Sequence, residues 1–537
     1  MPEKQLPAHP SLEQYKKQAK ELARACRDNH PEALSRLRAH HPHPPQARVS
    51  LAHAQLVLAR EHGFESWPKF AAQIERLRIA ADIAQLADPA DAFLRAALVP
   101  RDGTSHSGGA LDEANAILER YPQVAAANIF TAAALANESS VRAFIARNPA
   151  LAAATGGPYN WDALCHLCFS RYLRLDAARS HAFVRTAQAL LDAGANPNTG
   201  WYEKPWRPGD PDVWESALYG AAGAAHHAGL TQLLLDRGAD PNDGETPYHV
   251  PEGYDNTVLE ILLKSGKVDE RGKAWILARK ADWHDYAGLR LGLDYGADPN
   301  FIPHWGTSAL QHSVLRDNRM EMIQLLLDRG ANPLLPDKKD GTNAAQLAAR
   351  RGRGDVLKLL VDRGIDAQLR GIDEVAAACA LGDRARADEA LRTDAKARAI
   401  FAVHGGNLLG TFSGVGNTKG VECLLDLGVP PDALYHGDAY FGTARNSTAL
   451  HVAAWRGNPD VMRLLIQRGT PVDALDGDGR TALQLAVRAC TSSYWQNRRS
   501  PEWIEPLLAA GASTQAIELP TGYAEADELI ARYSAQQ

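Results

Sequence analysis

The chain has 537 residues, of which 45% are apolar and 23% charged, the make-up of a soluble folded protein and not of a disordered one. Its net charge is −6 with Lys and Arg spread throughout, so no block of cations marks a nucleic-acid surface. Six cysteines in so long a chain exclude a disulfide framework and point to the reducing cytoplasm.

The opening stretch "MPEKQLPAHPSLEQYKKQ" lacks the apolar core of a signal peptide. Four amphipathic helices are expected next, from "SLEQYKKQAKELARACRDN", "PEALSRLRAHHP", "ARVSLAHAQLVLAREHG" and "SWPKFAAQIERL", with Ser11 and Ser66 as N-caps. Between them "HHPHPP", from His40, is held irregular by its prolines and binds metal only adventitiously. The most apolar run, "VAAANIFTAAALANESS" from Val124, is too short and too polar to span a bilayer. No membrane partner is expected.

Beyond it a phrase recurs: leucines, a short polar step, then Gly. It reads "LLDAGANPN", "LLLDRGADPN", "LGLDYGADPN", "LLLDRGANP", "LLVDRGIDA", "LLDLGVPPDA", "LLIQRGTPVDA" and "LLAAGAST". The glycines are Gly194, Gly238, Gly296, Gly330, Gly364, Gly428, Gly469 and Gly511. Two intervals are 34 residues and several are 41 to 44, while those of 58 and 64 each hold a degenerate unit, at "LEILLKSGKVD" and "GIDEVAAACALGDRARADEALRTD". The leucines form the buried stripe of a helix. The glycine ends it in the left-handed region, and the following Asp/Asn–Pro turns the chain outward.

A second signature lies about twenty-one residues before these glycines. Its best copy is "STALHVAAWRGNPDVMRLLIQRG", Ser447 to Gly469, with Thr448 as N-cap. The pattern resembles the ankyrin repeat, and with the four helices before it, the leader found on many bacterial ankyrin-repeat proteins. The resemblance implies an all-α solenoid of helix–turn–helix units with finger turns. Residues 1–80 are expected to form a helical cap, 81–160 degenerate first repeats, and 161–537 the array.

Three finger insertions depart from the repeat. "TGWYEKPWRPGDPDVWES" brings Trp201, Tyr202, Trp206 and Trp214. "FIPHWG" brings His304 and Trp305. "ALYHGDAYFGTARNS" brings Tyr435, His436, Asp438, Tyr440, Phe441 and Arg445. Aromatics with Arg are typical contact residues; the competing reading is ordered loops whose Trp rings pack on neighbouring fingers. Two further insertions, from Leu167 and Cys490, fall between the helices of a repeat. In "GETPYHVPEGYDN", Thr246 and Pro247 read as N-cap and first helical residue. Pro251 should shorten or kink that helix, re-aiming Tyr248 and His249.

Cys165 and Cys168 form a C-x-x-C, but no second Cys or His pair stands at zinc spacing. They read as buried small residues in a first helix, and no metal or cofactor is expected. No phosphate loop, nucleophile elbow or H-E-x-x-H occurs. Any acid–base site would be dispersed, with His304, His312, His436 and Asp438 as its candidates. His249 and His451 occupy the ankyrin motif position, where the resemblance implies hydrogen bonds to neighbouring turns. His284 and Asp285 read as solvated or capping groups away from the fingers. The leading expectation is a scaffold taking a protein or peptide on its concave finger and first-helix face, through Trp201, Tyr202, Trp206, Tyr248, His249, His304, Trp305, Tyr435, His436, Tyr440 and Arg445. The alternative is an enzyme or small-molecule receptor, favoured by a pocket with His304 or His312 beside a carboxylate.

Overall fold

The computed structural model describes residues 4–7, 10–45, 49–101, 105–205, 207–492 and 499–534. Trp206 and residues 493–498 of the last insertion lie outside these. The chain divides into two compact units, Met1–Gly272 and Lys273–Gln537.

The first unit opens with four helices, α1 (Leu12–Arg27), α2 (Pro31–His40), α3 (Leu51–Glu61) and α4 (Trp67–Ile83). Ser11 Oγ accepts from the Gln14 amide and Ser66 Oγ from the Lys69 amide, as their sequence predicts. Tyr15, Phe70 and Ile74 form one small core here. Buried Glu61 is offset by Lys4 at 2.6 Å and Arg36 at 2.7 Å, which a carboxylate out of water requires.

Helix pairs follow in both units. In the second, the first helix Ala449–Arg456 packs between Ala395–Val415 and Ala482–Ser492, while the second helix Pro459–Gln467 packs on Thr418–Asp426. One continuous core of first-helix alanines and second-helix leucines runs from Leu277 to Ile530. The small residues let first helices approach closely, so the stack grows sideways without a widening core. Gly194, Gly238, Gly296, Gly330, Gly364, Gly428, Gly469 and Gly511 all take positive φ, between 71° and 96°, where other residues are strained.

The asparagine of the Asp/Asn–Pro–Asn phrase stitches each turn to the next. Asn198 Nδ2 donates to the Gly238 carbonyl (3.1 Å) and its Oδ1 accepts from the Asp240 amide (2.8 Å). Asn300 repeats this with the Gly330 carbonyl (2.9 Å) and the Asn332 amide (2.7 Å). A side chain with one donor and one acceptor on the same amide plane meets both needs of a passing backbone.

Among the described residues three short antiparallel hairpins project from the helices: β1 (Thr155–Gly156) with β2 (Trp161–Asp162), β3 (Gly200–Glu203) with β4 (Val213–Ser216), and β5 (Leu434–Tyr435) with β6 (Ser447–Thr448). The helix Glu245–His249 ends before Pro251, shortened as expected. Its cap differs from the sequence reading. The helix already begins at Glu245, so Thr246 lies inside it, and Asp243 supplies the capping oxygens, accepting from the Thr246 amide at 2.7 Å and from Thr246 Oγ1 at 2.6 Å. A carboxylate outcompetes a hydroxyl as acceptor for exposed helix amides.

Candidate functional site

In the first unit the β3–β4 hairpin sorts its side chains by strand alternation. Trp201 lies opposite Glu215 and Tyr202 opposite Trp214. Tyr202 is 62% exposed with Trp214 beside it (4.8 Å between centroids). Trp201 faces inward, stacked on Trp161 at 5.0 Å and meeting His106 edge-on at 5.7 Å. Arg101 lies 4.5 Å over its ring. On the same inner face Glu203 Oε2 stands 3.2 Å from His106 Nε2, and Glu215 Oε2 stands 3.9 Å from His106 Nδ1. Tyr219, where a short helix passes into the π turn Gly220–Ala224, has its hydroxyl 2.8 Å from Nδ1.

Burial, reinforced by the charges of Glu245 and Glu203, pushes the Glu215 carboxyl up to about 9. Burial likewise raises Asp243 to about 6, against hydrogen bonds from Ser216 and Thr246. His249 behaves oppositely. Burial disfavours its cation, yet Glu245 at 3.1 Å and Glu252 at 3.2 Å outweigh burial and raise it to about 9. This interior is acidic, with the His249 cation already held by its own two glutamates.

In the second unit the β5–β6 hairpin closes on itself at its tip, where Asp438 and Thr443 exchange backbone hydrogen bonds of 2.9 and 3.0 Å. Asp438 Oδ1 accepts from the amides of Tyr440 (3.0 Å) and Phe441 (3.3 Å), fixing the two rings. Trp455 Nε1 donates to the Phe441 carbonyl at 2.5 Å and holds the tip down. Tyr440 then lies under Arg316, 3.6 Å from ring centroid to guanidinium, and Phe441 lies under Arg456 at 3.8 Å.

Two carboxylates organise the cations beneath. Asp282 receives Arg316 Nε (2.5 Å), Arg279 Nη1 (2.8 Å) and His312 Nε2 (2.9 Å). Asp317 receives Arg351 (2.7 Å) and Arg456 (3.2 Å). Burial alone would raise Asp282, but hydrogen bonds from His312 and Arg316 hold it well below the ordinary carboxylate range. Burial lowers His312 despite the same contact. Asp282, His284, Ala439, Tyr440, Phe441, Gly442 and Trp455 line an open cavity of about 340 Å³.

The profile described as "Ankyrin repeats (3 copies)" matches residues 278–370 and 412–513. These stretches of the second unit are ankyrin repeats. A putative ankyrin repeat-containing protein of Treponema pallidum (strain Nichols) is 33% identical over 114 residues, 21% of this chain and 37% of the relative. The match therefore spans little more than a third of that bacterial relative. The crystal structure of the human ASB11 ankyrin repeat domain is similar at 21% identity, covering 44% of this chain and 96% of that one, with a TM-score of 0.21. Ankyrin repeats are in general scaffolds for protein–protein interaction. Among the described residues no helix is long and apolar enough to cross a membrane.

The ankyrin frame shows which expected site residues meet. His304, Trp305 and His312 adjoin one another through ring contacts of 5.4 and 6.4 Å, and His312 links them to Asp282. Tyr440 joins the same surface through Arg316. Asp438 is spent on the hairpin tip. His436 and Arg445 are exposed at its base, where His436 Nδ1 pairs with Asn407 at 2.8 Å. Tyr248 is half-buried against His249 at 4.9 Å. Trp201 and Tyr435, expected to offer rings to a partner, are each 5% exposed; strand alternation turns both inward. His451 bonds the neighbouring turn through the Ala474 carbonyl (2.9 Å), as the ankyrin motif implies, whereas the His249 ring nitrogens face Glu245 and Glu252. Asp285 caps the Gly288 amide as read, but it is buried with Lys280 at 3.0 Å. His284, read as remote from the fingers, lines the cavity under the Tyr440 hairpin. Cys165 and Cys168 are fully buried. The reading of the sequence missed His106, Glu203, Glu215, Tyr219 and Asp282. Alternation within "GWYE" and "VWES" was the available signal for the two glutamates.

Proposed function

We propose that the chain is a binding scaffold that takes a protein partner on the concave finger and first-helix face of its second unit. In this reading residues 1–80 are its cap, 81–160 its degenerate first repeats, and 161–537 the array that carries the site. One partner side chain enters the cavity beneath the β5–β6 hairpin. The observation carrying this reading is the fixed tip. Tyr440, Phe441 and Trp455 present apolar walls around about 340 Å³, room for one large side chain. Asp282 is already matched by Arg279, Arg316 and His312, so the pocket selects an apolar or aromatic residue over a lysine. Because the tip is held by its own hydrogen bonds, little conformational entropy is lost on docking. His304 and Trp305 extend the contact surface on the His312 side.

The test is panning of a displayed peptide library against the full chain and a Tyr440→Ala variant. Enrichment of peptides with a common large apolar anchor, lost in the variant without a change in melting temperature, is the expected result. Equal enrichment on both proteins removes the pocket from the function.

A second reading, a small-molecule receptor or enzyme, has one observation in its favour: His312 lies 2.9 Å from Asp282, which lines the cavity. A neutral imidazole oriented by a carboxylate has the form of a general base. A metabolite thermal-shift screen separates the two. Stabilisation by a small molecule that is lost in His312→Gln supports the second reading.

A further inference from the structure

We propose that His106, Glu203 and Glu215 form a binding site in the first unit for a divalent first-row transition metal of the Zn²⁺ or Mn²⁺ class. Among the described residues this is the one place where three His, Cys or carboxylate side chains bring one donor atom each within 4.8 Å of one another. One imidazole and two carboxylates suit first-row ions, whereas Ca²⁺ and Mg²⁺ favour all-oxygen shells. Donors bound at about 2.0–2.2 Å from one ion stand roughly 3–4 Å apart. His106 Nε2 and Glu203 Oε2, 3.2 Å apart, already fall in that range, and one donor atom from each of the three residues lies within 4.8 Å of the other two, so a small side-chain shift of Glu215 completes the set.

A second observation points to a missing ligand. Glu215 is 2% exposed, and its Oε2, the atom facing His106, is buried with no hydrogen-bond partner. A buried carboxylate oxygen left unmatched is costly, and a bound ion is one way to match it. A cation held between Glu215 and Glu203 would satisfy that oxygen. It would also offset the negative charge of Asp243 and Glu245, which act on Glu215 from the next repeat. His249 cannot do this, being held by Glu245 and Glu252.

The scaffold around the three donors is rigid. The paired strands β3 and β4 fix both glutamates on one face. The Tyr219 hydroxyl at 2.8 Å from Nδ1 orients the imidazole, as outer-sphere partners of metal ligands do. Trp201 and Phe169 meet the same ring edge-on at 5.7 and 6.5 Å. Glu203, whose side chain is 17% exposed, gives the site its access to solvent.

The experiment uses the full chain, stripped with a chelator and titrated with Zn²⁺ and with Mn²⁺ by calorimetry, with metal content measured after dialysis. Four variants are compared: His106→Ala, Glu203→Gln, Glu215→Gln, and a control with His40, His41 and His43 all changed to Ala. The expected result is one equivalent bound by the wild type and by the control, with affinity lower by at least about tenfold in each of the other three. Absence of a stoichiometric ion in the wild type overturns the proposal, as does unchanged binding in the three site variants or loss of binding in the control. If His106→Ala fails to fold, the two Glu→Gln variants decide, since they keep side-chain shape and remove only charge. The second unit and its pocket are not involved, so this result is independent of the peptide panning.

Discussion

The guanidinium of Arg316 lies over the ring of Tyr440, 3.6 Å from its centroid, and so ties the β5–β6 hairpin to a repeat several units earlier in the chain. A half-buried cation–π pair of this kind contributes about 0.5–2 kcal/mol. A double-mutant cycle of Arg316→Met and Tyr440→Ala, measured by chemical denaturation, should give a coupling energy in that range. Additive effects would mean that the two groups are neighbours without interacting.

Asp282 is the hub beneath that contact. Asp282→Asn leaves Arg279 and Arg316 with an uncharged partner in a half-buried setting, and should cost about 3 kcal/mol. The pH dependence has a definite sign. A carboxylate held below its ordinary value of 3.8 stabilises the fold above that pH, and the contribution is lost as pH falls through the folded value. The wild type should therefore lose stability below about pH 4 more steeply than Asp282→Asn. Parallel acid curves would remove Asp282 from that role.

His249 has the opposite sign. Its folded value of about 9 exceeds the ordinary 6.5, so its contribution is complete below pH 6.5 and declines as pH rises through about 9. The loss should be on the order of 2 kcal/mol and absent in His249→Gln. Unfolding curves of both proteins between pH 6 and 10, in chelator, provide the measurement.

The array was legible because its signals are local. Leu-Leu, then Gly, then Asp/Asn–Pro–Asn are each a few residues long, and every one does its work within one turn or on the next. The four leader helices were readable for the same reason, with Ser11 and Ser66 announcing two of them. The sites were not local. His106 is separated from Glu203 by 97 positions and from Tyr219 by 113. Asp282 stands two positions before His284, in a stretch that read as solvated or capping groups away from the fingers. The finger insertions drew attention through their aromatic content, and that signal misled at Trp201 and Tyr435. A large ring is as good a core residue as a contact residue, and only the alternation of a hairpin decides which.

Lys280 and Asp285 form a pair with side chains 0% and 6% exposed, 3.0 Å apart. Removing the lysine alone, as in Lys280→Met, leaves a buried carboxylate without its cation and should cost about 3–5 kcal/mol. Lys280→Met with Asp285→Asn should recover most of this, because the amide oxygen still caps Gly288 and no charge is left buried. A double variant no more stable than the single one would show that the pair acts through packing.

Asn300→Ala deletes both stitches to the Gly330 and Asn332 turn. Two exposed hydrogen bonds lost together predict a loss of about 1–2 kcal/mol in unfolding free energy, read from chemical denaturation. Asn300→Asp keeps the acceptor and should fall between.

The hairpin tip has a mechanical consequence. Stitches such as those of Asn198 and Asn300 join each repeat only to the one after it, and a chain held that way unzips one repeat at a time when pulled from its end. The grip of Tyr440 and Phe441 on Arg316 and Arg456 bypasses that order. Pulled from the C-terminus, the last repeats should peel singly, and the force should then climb until the hairpin lets go. Everything from Arg316 to the hairpin would yield in a single rip.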